Sequence, residues 1–128
     1  MAKQAVGGSQ PAGAYSPGIV AEGRFVYVSG QGPVRDGVVT GATIEEQTRV
    51  VLDNIAAVLA SAGASLADVV RCGVFLADMA DFGGMNDVYG EIFPAPLPAR
   101  TTVGATLPGI LVEIDCVAVL PADAGDRP

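Results

Sequence analysis

Arg100 is the residue whose type and position first suggest chemistry. It follows a Pro-rich turn and precedes Thr101, Thr102 and Val103, a run typical of a strand. An arginine at the start of an edge strand is commonly a solvated charge. It is also the side chain that holds a carboxylate through two parallel charge-assisted hydrogen bonds. The residues themselves leave both interpretations open.

Two carboxylates interrupt the last apolar run of the chain. Alternation along a strand places Glu113 and Asp115 on the same face as Leu111, Val117 and Val119. A buried carboxylate is costly unless it is paired or hydrogen-bonded. Either this end of the strand is exposed, or the carboxylates line a site.

Three further positions offer polar or backbone groups. Tyr15 lies in the turn-forming segment AYSPG, and Ser29 and Gly30 lie in VSGQGP, where glycine lets backbone N–H groups approach a ligand. Asn86 falls within a predicted helix. On the residues alone, ordinary turns and a solvated helix residue are the commoner explanations, and the glycine spacing does not fit a phosphate-binding loop.

Composition excludes several function classes. The 128 residues contain no histidine, which removes the commonest general base and metal ligand. The two cysteines, Cys72 and Cys116, lie in apolar runs without zinc-site spacing, so we expect buried free thiols in a reducing compartment and no metal or cofactor. A net charge of −7 with seven scattered basic residues disfavours nucleic-acid binding. No signal peptide or membrane span is predicted, so we expect a cytoplasmic protein without a membrane partner.

The elements that must position these residues form one predicted domain. A helix is expected from about Ile44 to Ala62, because Thr43 and Glu46 form a capping box and apolar residues follow at helical spacing. A second helix is expected from about Asp81 to Phe93, ended by prolines. Strands are predicted at Ile19–Ala21, Phe25–Ser29, Val38–Val39, Val69–Leu76, Arg100–Ala105 and Leu111–Leu120, with a loose tail over 121–128.

The order of these elements favours a mixed β-sheet with both helices packed on one face. The other face would then carry apolar residues without cover. Mean hydropathy of +0.44 is high for a small monomer, so self-association is the expected cover.

In this order and spacing the segments AYSPG, VSGQGP, LDNIAAVLASAG, VVRCGVFLADMADFGGMNDVYGEIF, PARTTV and VEIDCVAV resemble the reactive intermediate deaminase (RidA, or YjgF-like) family, over about residues 13–120. The resemblance implies an α+β, chorismate-mutase-like fold and a homotrimer with its sites between subunits. It further implies metal-independent hydrolysis of 2-imino and enamine acids, such as 2-iminopropanoate and 2-iminobutanoate, to 2-keto acids and ammonia.

The resemblance also implies roles for the residues singled out above. Arg100 would hold the substrate carboxylate, Glu113 would orient the hydrolytic water, and Tyr15 would stabilise the intermediate. Thr102 sits where several family members carry cysteine, so its contact would come from the backbone. The residues implied to line the rest of the pocket are Ser29, Gly30, Asn86 and Thr102.

Two other functions remain open at this stage. One is hydrolysis of a different small carboxylate, such as a carbamate, an amide or a chorismate-like acid. The other is non-catalytic binding of a small metabolite by a trimer. RNA cleavage is disfavoured by the net charge and by the absence of aromatic stacking platforms.

Overall fold

The computed structural model describes residues 2–122, a range that contains two α-helices, two short 3₁₀ helices and eight strands. From position 123 onward, the predicted tail lies outside the described residues. The elements are β1 (Lys3–Val6), β2 (Gly18–Ala21), β3 (Phe25–Gln31), β4 (Val34–Arg35), β5 (Val38–Val39), α1 (Ile44–Ser61), β6 (Val69–Leu76), α2 (Phe82–Ile92), β7 (Ala99–Gly104) and β8 (Val112–Val119).

Helix α1 begins at the predicted capping box. The Glu46 backbone N–H donates to Thr43 Oγ1 at 3.1 Å, and the Glu46 carboxylate accepts the backbone N–H groups of Ala42 and Thr43 at 2.8 and 3.1 Å. These hydrogen bonds satisfy N–H groups at and before the helix start, and they lower the pKa of Glu46. The helix ends at Ser61, one residue before the predicted boundary.

The central sheet has four strands in the order β3–β8–β6–β7. All neighbours are antiparallel except β6 and β7, which run parallel and are joined through α2. Two separate ribbons, β1–β2 and β4–β5, flank it. The predicted α+β arrangement, a mixed sheet with two helices on one face, is confirmed.

Two strands and several boundaries differ from prediction, most of the boundaries by one residue. β1 and β4 were not expected, and β3 continues through Gly30 to Gln31 by a bulge instead of ending at Ser29. The β4–β5 hairpin turns at Asp36 and Gly37, whose φ angles are 51° and 76°. Positive φ at both central residues matches a type I′ turn, the connection favoured between two short antiparallel strands.

The core lies between the helices and one face of the sheet. Cys72, Val74 and Leu76 of β6 are fully buried there, beneath Ile55 of α1 and Tyr89 of α2. Cys72 is directly opposite Cys116 on β8. Both thiols are free, as predicted, and burial raises the pKa of each to about 12.

The other face of the sheet has no helix over it. It carries exposed aromatic and aliphatic side chains, including Phe25, Val103 and Tyr27, whose surface is 76% exposed. We call this side, which also bears Glu113 and Asp115, the open face.

Candidate functional site

Arg100 lies on the helix side of the sheet, not in solvent. Its register partner on β6 is Cys72, a fully buried residue, so both side chains point toward the helices. Only 8% of the Arg100 surface is exposed. The interpretation of Arg100 as a solvated edge charge is therefore wrong for this protomer.

The Arg100 guanidinium is held by neutral groups. Its Nη2 donates to Asn86 Oδ1 at 2.9 Å, and its Nη1 donates to the Ala14 carbonyl at 3.4 Å. Its Nε has no hydrogen-bond partner, and within residues 2–122 no carboxylate pairs with it. Burial lowers the pKa of Arg100, because the charged form has lost solvation.

Aromatic rings surround this cation. The guanidinium carbon lies 4.7, 5.2 and 5.4 Å from the ring centres of Tyr89, Tyr15 and Phe82. Each distance is within cation–π range. Such contacts partly replace lost hydration yet leave the net charge of the guanidinium unbalanced. Burial also raises the pKa of Tyr89, so its hydroxyl stays protonated beside Arg100.

Two buried hydroxyls near Arg100, those of Tyr89 and Thr102, also lack an oxygen or nitrogen partner, and only the weakly interacting Cys72 thiol lies beside the Tyr89 hydroxyl. Thr102 follows Arg100 by two residues on β7 and lies opposite Val74, so it shares the helix-facing side. Buried polar atoms without partners are rare in folded proteins. These two hydroxyls and Arg100 Nε are therefore groups to which a polar ligand bound in this region would hydrogen-bond.

Residues 12–16 form a strap across the Arg100 side chain. The Ser16 backbone N–H donates to the Pro98 carbonyl at 3.0 Å, and the Ser16 hydroxyl donates to the Leu97 carbonyl. The Ala14 N–H donates to Asn86 Oδ1 at 2.9 Å. The strap is therefore fixed both to the turn before β7 and to α2, and it places Tyr15 over the guanidinium.

Glu113 lies on the open face of the same sheet. Its register partner is Phe75, next to Val74, and it packs against the backbone of Gly30 in the β3 bulge. A Cβ atom at Gly30 would overlap the Glu113 carboxylate, so any other residue here would force the Glu113 side chain to move.

The two carboxylates of β8 have different surroundings. Asp115 Oδ1 accepts the Gly73 N–H at 3.0 Å and lies 4.0 Å from Arg71 Nη1. Glu113, by contrast, makes no hydrogen bond or ion pair with any residue in the described part of the chain. Asp115 therefore has a structural partner, and Glu113 is the carboxylate left available for a ligand or water.

The predicted site residues thus form two groups on opposite faces of the sheet. Tyr15, Asn86, Arg100 and Thr102 lie on the helix side, and Ser29, Gly30 and Glu113 lie on the open side. A single chain does not bring Arg100 and Glu113 together. Sequence reasoning missed Phe82 and Tyr89 as ring neighbours of Arg100, because their helical spacing indicated only an apolar face.

Comparisons with known proteins give the family. A model of the family described as Endoribonuclease L-PSP, which comprises the YjgF and RidA proteins, matches residues 7–120. The chain belongs to this family. Mitochondrial protein mmf2 of Schizosaccharomyces pombe is 45% identical to this Rid-family chain over 104 residues, which are 77% of this chain and 82% of that protein.

A second relative has a name that states a reaction class. The chloroplastic Reactive Intermediate Deaminase A of Arabidopsis thaliana is 40% identical over 112 residues, covering 84% of this Rid-family chain and 59% of that protein. Among solved structures, the Rid-family protein YyfB of Yersinia pestis superposes with a TM-score of 0.84 at 26% identity, covering 94% of this chain and all (100%) of that chain. That structure is described as a protein of unknown function.

A helix that crosses a membrane needs about 20 consecutive, mostly apolar residues. Neither α1 nor α2, the α-helices of residues 2–122, is both long and apolar enough to cross a bilayer.

Proposed function

We propose that this Rid-family protein hydrolyses 2-imino and enamine acids, such as 2-iminopropanoate and 2-iminobutanoate, to 2-keto acids and ammonia. The observation that carries the proposal is the buried Arg100 guanidinium, which has neutral hydrogen-bond partners, a free Nε and no carboxylate partner in residues 2–122. A small carboxylate would supply the missing anion. The name of the Arabidopsis relative supports the reaction class.

The positions of Arg100 and Glu113 favour a site shared between subunits. Because these side chains lie on opposite faces of one sheet, a pocket that uses both must combine Arg100 of one protomer with Glu113 of a neighbour. The open face, with Tyr27 76% exposed, is the surface that association would cover. A closed homotrimer, as the family resemblance implies, repeats this contact three times.

The chemistry needs no metal and no covalent intermediate. A protonated imine carbon is electrophilic, and the oxygen of one water molecule adds to it while Glu113 accepts the proton of that water. Glu113 then returns this proton to the nitrogen, the C–N bond breaks with its electron pair leaving on ammonia, and the hydroxyl proton passes to Glu113 as the carbon–oxygen bond becomes that of the ketone. Arg100 and the pocket lining hold the imine in place, and such orientation can lower a barrier by up to about 7–11 kcal/mol.

Tyr15 and the remaining pocket residues complete this assignment. The Tyr15 hydroxyl accepts the Ala12 N–H at 3.1 Å, which leaves its own proton free to stabilise the tetrahedral intermediate. Asn86 contributes to the wall around Arg100, and the backbone at Thr102 supplies a further contact. On the neighbouring protomer, Ser29 and Gly30 would lie beside Glu113.

An imine-hydrolysis assay tests the proposal. 2-Iminobutanoate is generated in situ by an amino-acid oxidase, and its loss is followed by absorbance with and without the protein. We expect wild type to accelerate the loss and Arg100→Ala to abolish the acceleration. Arg49→Ala is the matched control, because Arg49 is an exposed arginine paired with Glu91 on the outer helices, and such pairs contribute little.

The alternatives give different results in the same experiment. A wild-type protein that leaves imines untouched but hydrolyses an amide or carbamate of a small acid would establish a different hydrolase. Saturable binding of 2-oxobutanoate without any hydrolysis would establish a metabolite-binding protein. RNA cleavage that survives Arg100→Ala and stringent purification would revive RNA cleavage as a function and contradict the expected absence of nucleic-acid binding.

The compartment is part of the proposal. We place the protein in the cytoplasm, where amino-acid metabolism produces imines and thiols stay reduced. The mmf2 relative is named as mitochondrial, so the compartment needs its own test. Fractionation of the native protein with compartment markers provides it, and recovery in an organelle fraction would contradict the assignment.

A further inference from the structure

We propose that Gly13 and Asn86 are positioning residues, which hold the Arg100 guanidinium in place while leaving its charge unbalanced for the substrate carboxylate. We call this pair the neutral clamp. The inference rests on the proposed function, since it assigns how the carboxylate-binding group of that site is presented.

Asn86 is the centre of the clamp. Its Oδ1 accepts both the Arg100 Nη2 at 2.9 Å and the Ala14 N–H at 2.9 Å, so one amide oxygen joins the guanidinium on β7 to the strap. The Ala14 carbonyl closes the ring by accepting from Arg100 Nη1 at 3.4 Å. The guanidinium is thus fixed at two of its three nitrogens, and Nε remains without a partner.

The neutrality of the acceptor matters as much as its position. A carboxylate at residue 86 would occupy the same place and form an ion pair with Arg100. That ion pair would relieve the cost of burying an unpaired cation, but it would also satisfy the positive charge internally. An amide fixes the same nitrogen without neutralising the cation. A buried charge then remains that only an incoming anion can balance.

Gly13 allows the strap to lie directly on this pair. A Cβ atom at position 13 would stand 2.7 Å from Arg100 Nη2 and 2.8 Å from Asn86 Oδ1. Both distances are shorter than a carbon atom tolerates in van der Waals contact. Any side chain at this position must therefore displace the guanidinium, the amide or the strap. Glycine is required here for close approach and not for an unusual φ angle, since Gly13 has no positive φ.

Binding and kinetics of matched variants test the clamp. The probe is 2-oxobutanoate, whose affinity is measured by calorimetry, alongside KM and kcat for 2-iminobutanoate. We expect Gly13→Ala to weaken 2-oxobutanoate binding and to raise KM by about 10- to 100-fold, with a smaller change in kcat, because displacement of a binding group by about 1 Å has effects of this size. Gly7→Ala is the control, since a Cβ atom at Gly7 meets nothing within 4 Å.

A second variant tests the neutrality argument. Asn86→Asp should weaken 2-oxobutanoate binding by a similar factor while leaving the thermal midpoint equal to or above that of wild type. Gln4→Glu adds the same charge at an exposed position of β1 and should leave the affinity unchanged. A merely structural role for Asn86 predicts the opposite pattern, with a lower midpoint and affinity lost only in proportion to unfolding.

Coupling between the positions completes the test. If Gly13→Ala acts through the Arg100–Asn86 contact, adding it to Asn86→Ala should weaken binding little further, because the contact is already broken. If the double variant instead loses affinity by the product of the two single-variant factors, the clamp is refuted. Wild-type affinity for 2-oxobutanoate in either Gly13→Ala or Asn86→Asp would also refute it. A wild-type protein that binds 2-oxobutanoate but hydrolyses no imine would refute the proposed function, and the binding data would still decide the clamp.

Discussion

Replacing Arg100 with methionine separates the part that this residue plays in folding from the part that it plays in ligand binding. Methionine keeps an unbranched apolar stem among the rings of Tyr15, Phe82 and Tyr89 and removes the charge. Asn86 Oδ1 keeps a partner in this variant, because the Ala14 N–H still donates to it.

The expected change in stability is small because large effects oppose each other. Burying a cation costs several kcal/mol. Two hydrogen bonds to a charged group recover about 1.5–3 kcal/mol each, and each ring contact recovers about 0.5–1 kcal/mol. We therefore expect the free energy of unfolding of Arg100→Met to stay within about 1 kcal/mol of wild type, whereas breaking a buried ion pair typically costs about 3–5 kcal/mol.

The expected change in binding is large. Truncating one partner of a buried, hydrogen-bonded charge pair costs about 2–5 kcal/mol, which weakens binding between about 30-fold and a few thousand-fold. Urea unfolding at matched protein concentration gives the stability, and calorimetry with 2-oxobutanoate gives the affinity. A variant destabilised by about 3 kcal/mol or more with unchanged affinity would refute the reasoning and make Arg100 a structural residue.

Three further predictions concern the thiols, the helix cap and the open face. Burial raises the pKa of Cys72 and Cys116 to about 12, so both thiols should resist iodoacetamide in the native protein at pH 8. Mass spectrometry should find the two cysteines alkylated only after unfolding, and rapid labelling of the native protein would contradict this prediction. Glu46 has a lowered pKa in the folded state, so its stabilisation is present above its unfolded pKa and is lost as the pH falls through its folded pKa. Below about pH 4.3 the free energy of unfolding should therefore fall less steeply with pH in Glu46→Gln than in wild type. An equal fall in both proteins would show that Glu46 does not cause the acid dependence. Tyr27→Asp should place a charge on the open face and shift the mass measured by light scattering toward a monomer, with loss of imine hydrolysis; an unchanged mass would exclude this face from the interface.

Local patterns were sufficient to predict most of the fold. The Thr43–Glu46 box and the apolar stripe after it define α1, and a short, mostly apolar run predicts β6 with the bounds that the structure has. β1 was missed because apolar and polar residues do not alternate along its four positions. Within the described residues it pairs only with β2, in a two-stranded ribbon. β4 was missed although Asp36-Gly37 is a strong hairpin sequence, because its two residues form too short a run.

The site was predictable only in its parts. Alternation along β8 correctly placed Glu113 and Asp115 on one face. It could not relate that face to the one that Arg100 occupies on β7, because the relation depends on the register of both strands against β6. The contact of Gly13 with the Arg100–Asn86 pair joins three segments distant in sequence, and no local pattern carries such information.

A subunit-mixing experiment tests most directly the central claim, that Arg100 and a neighbouring protomer's Glu113 act in one site. Arg100→Ala and Glu113→Gln proteins, each inactive toward 2-iminobutanoate alone, are unfolded together in equal amounts and refolded. If the protein forms the proposed homotrimer, random mixing leaves both an intact Arg100 and an intact Glu113 in about one quarter of the shared sites, so we predict recovery of about one quarter of wild-type activity. Activity no higher than that of the two separate variants, in trimers shown to be mixed, would contradict the account.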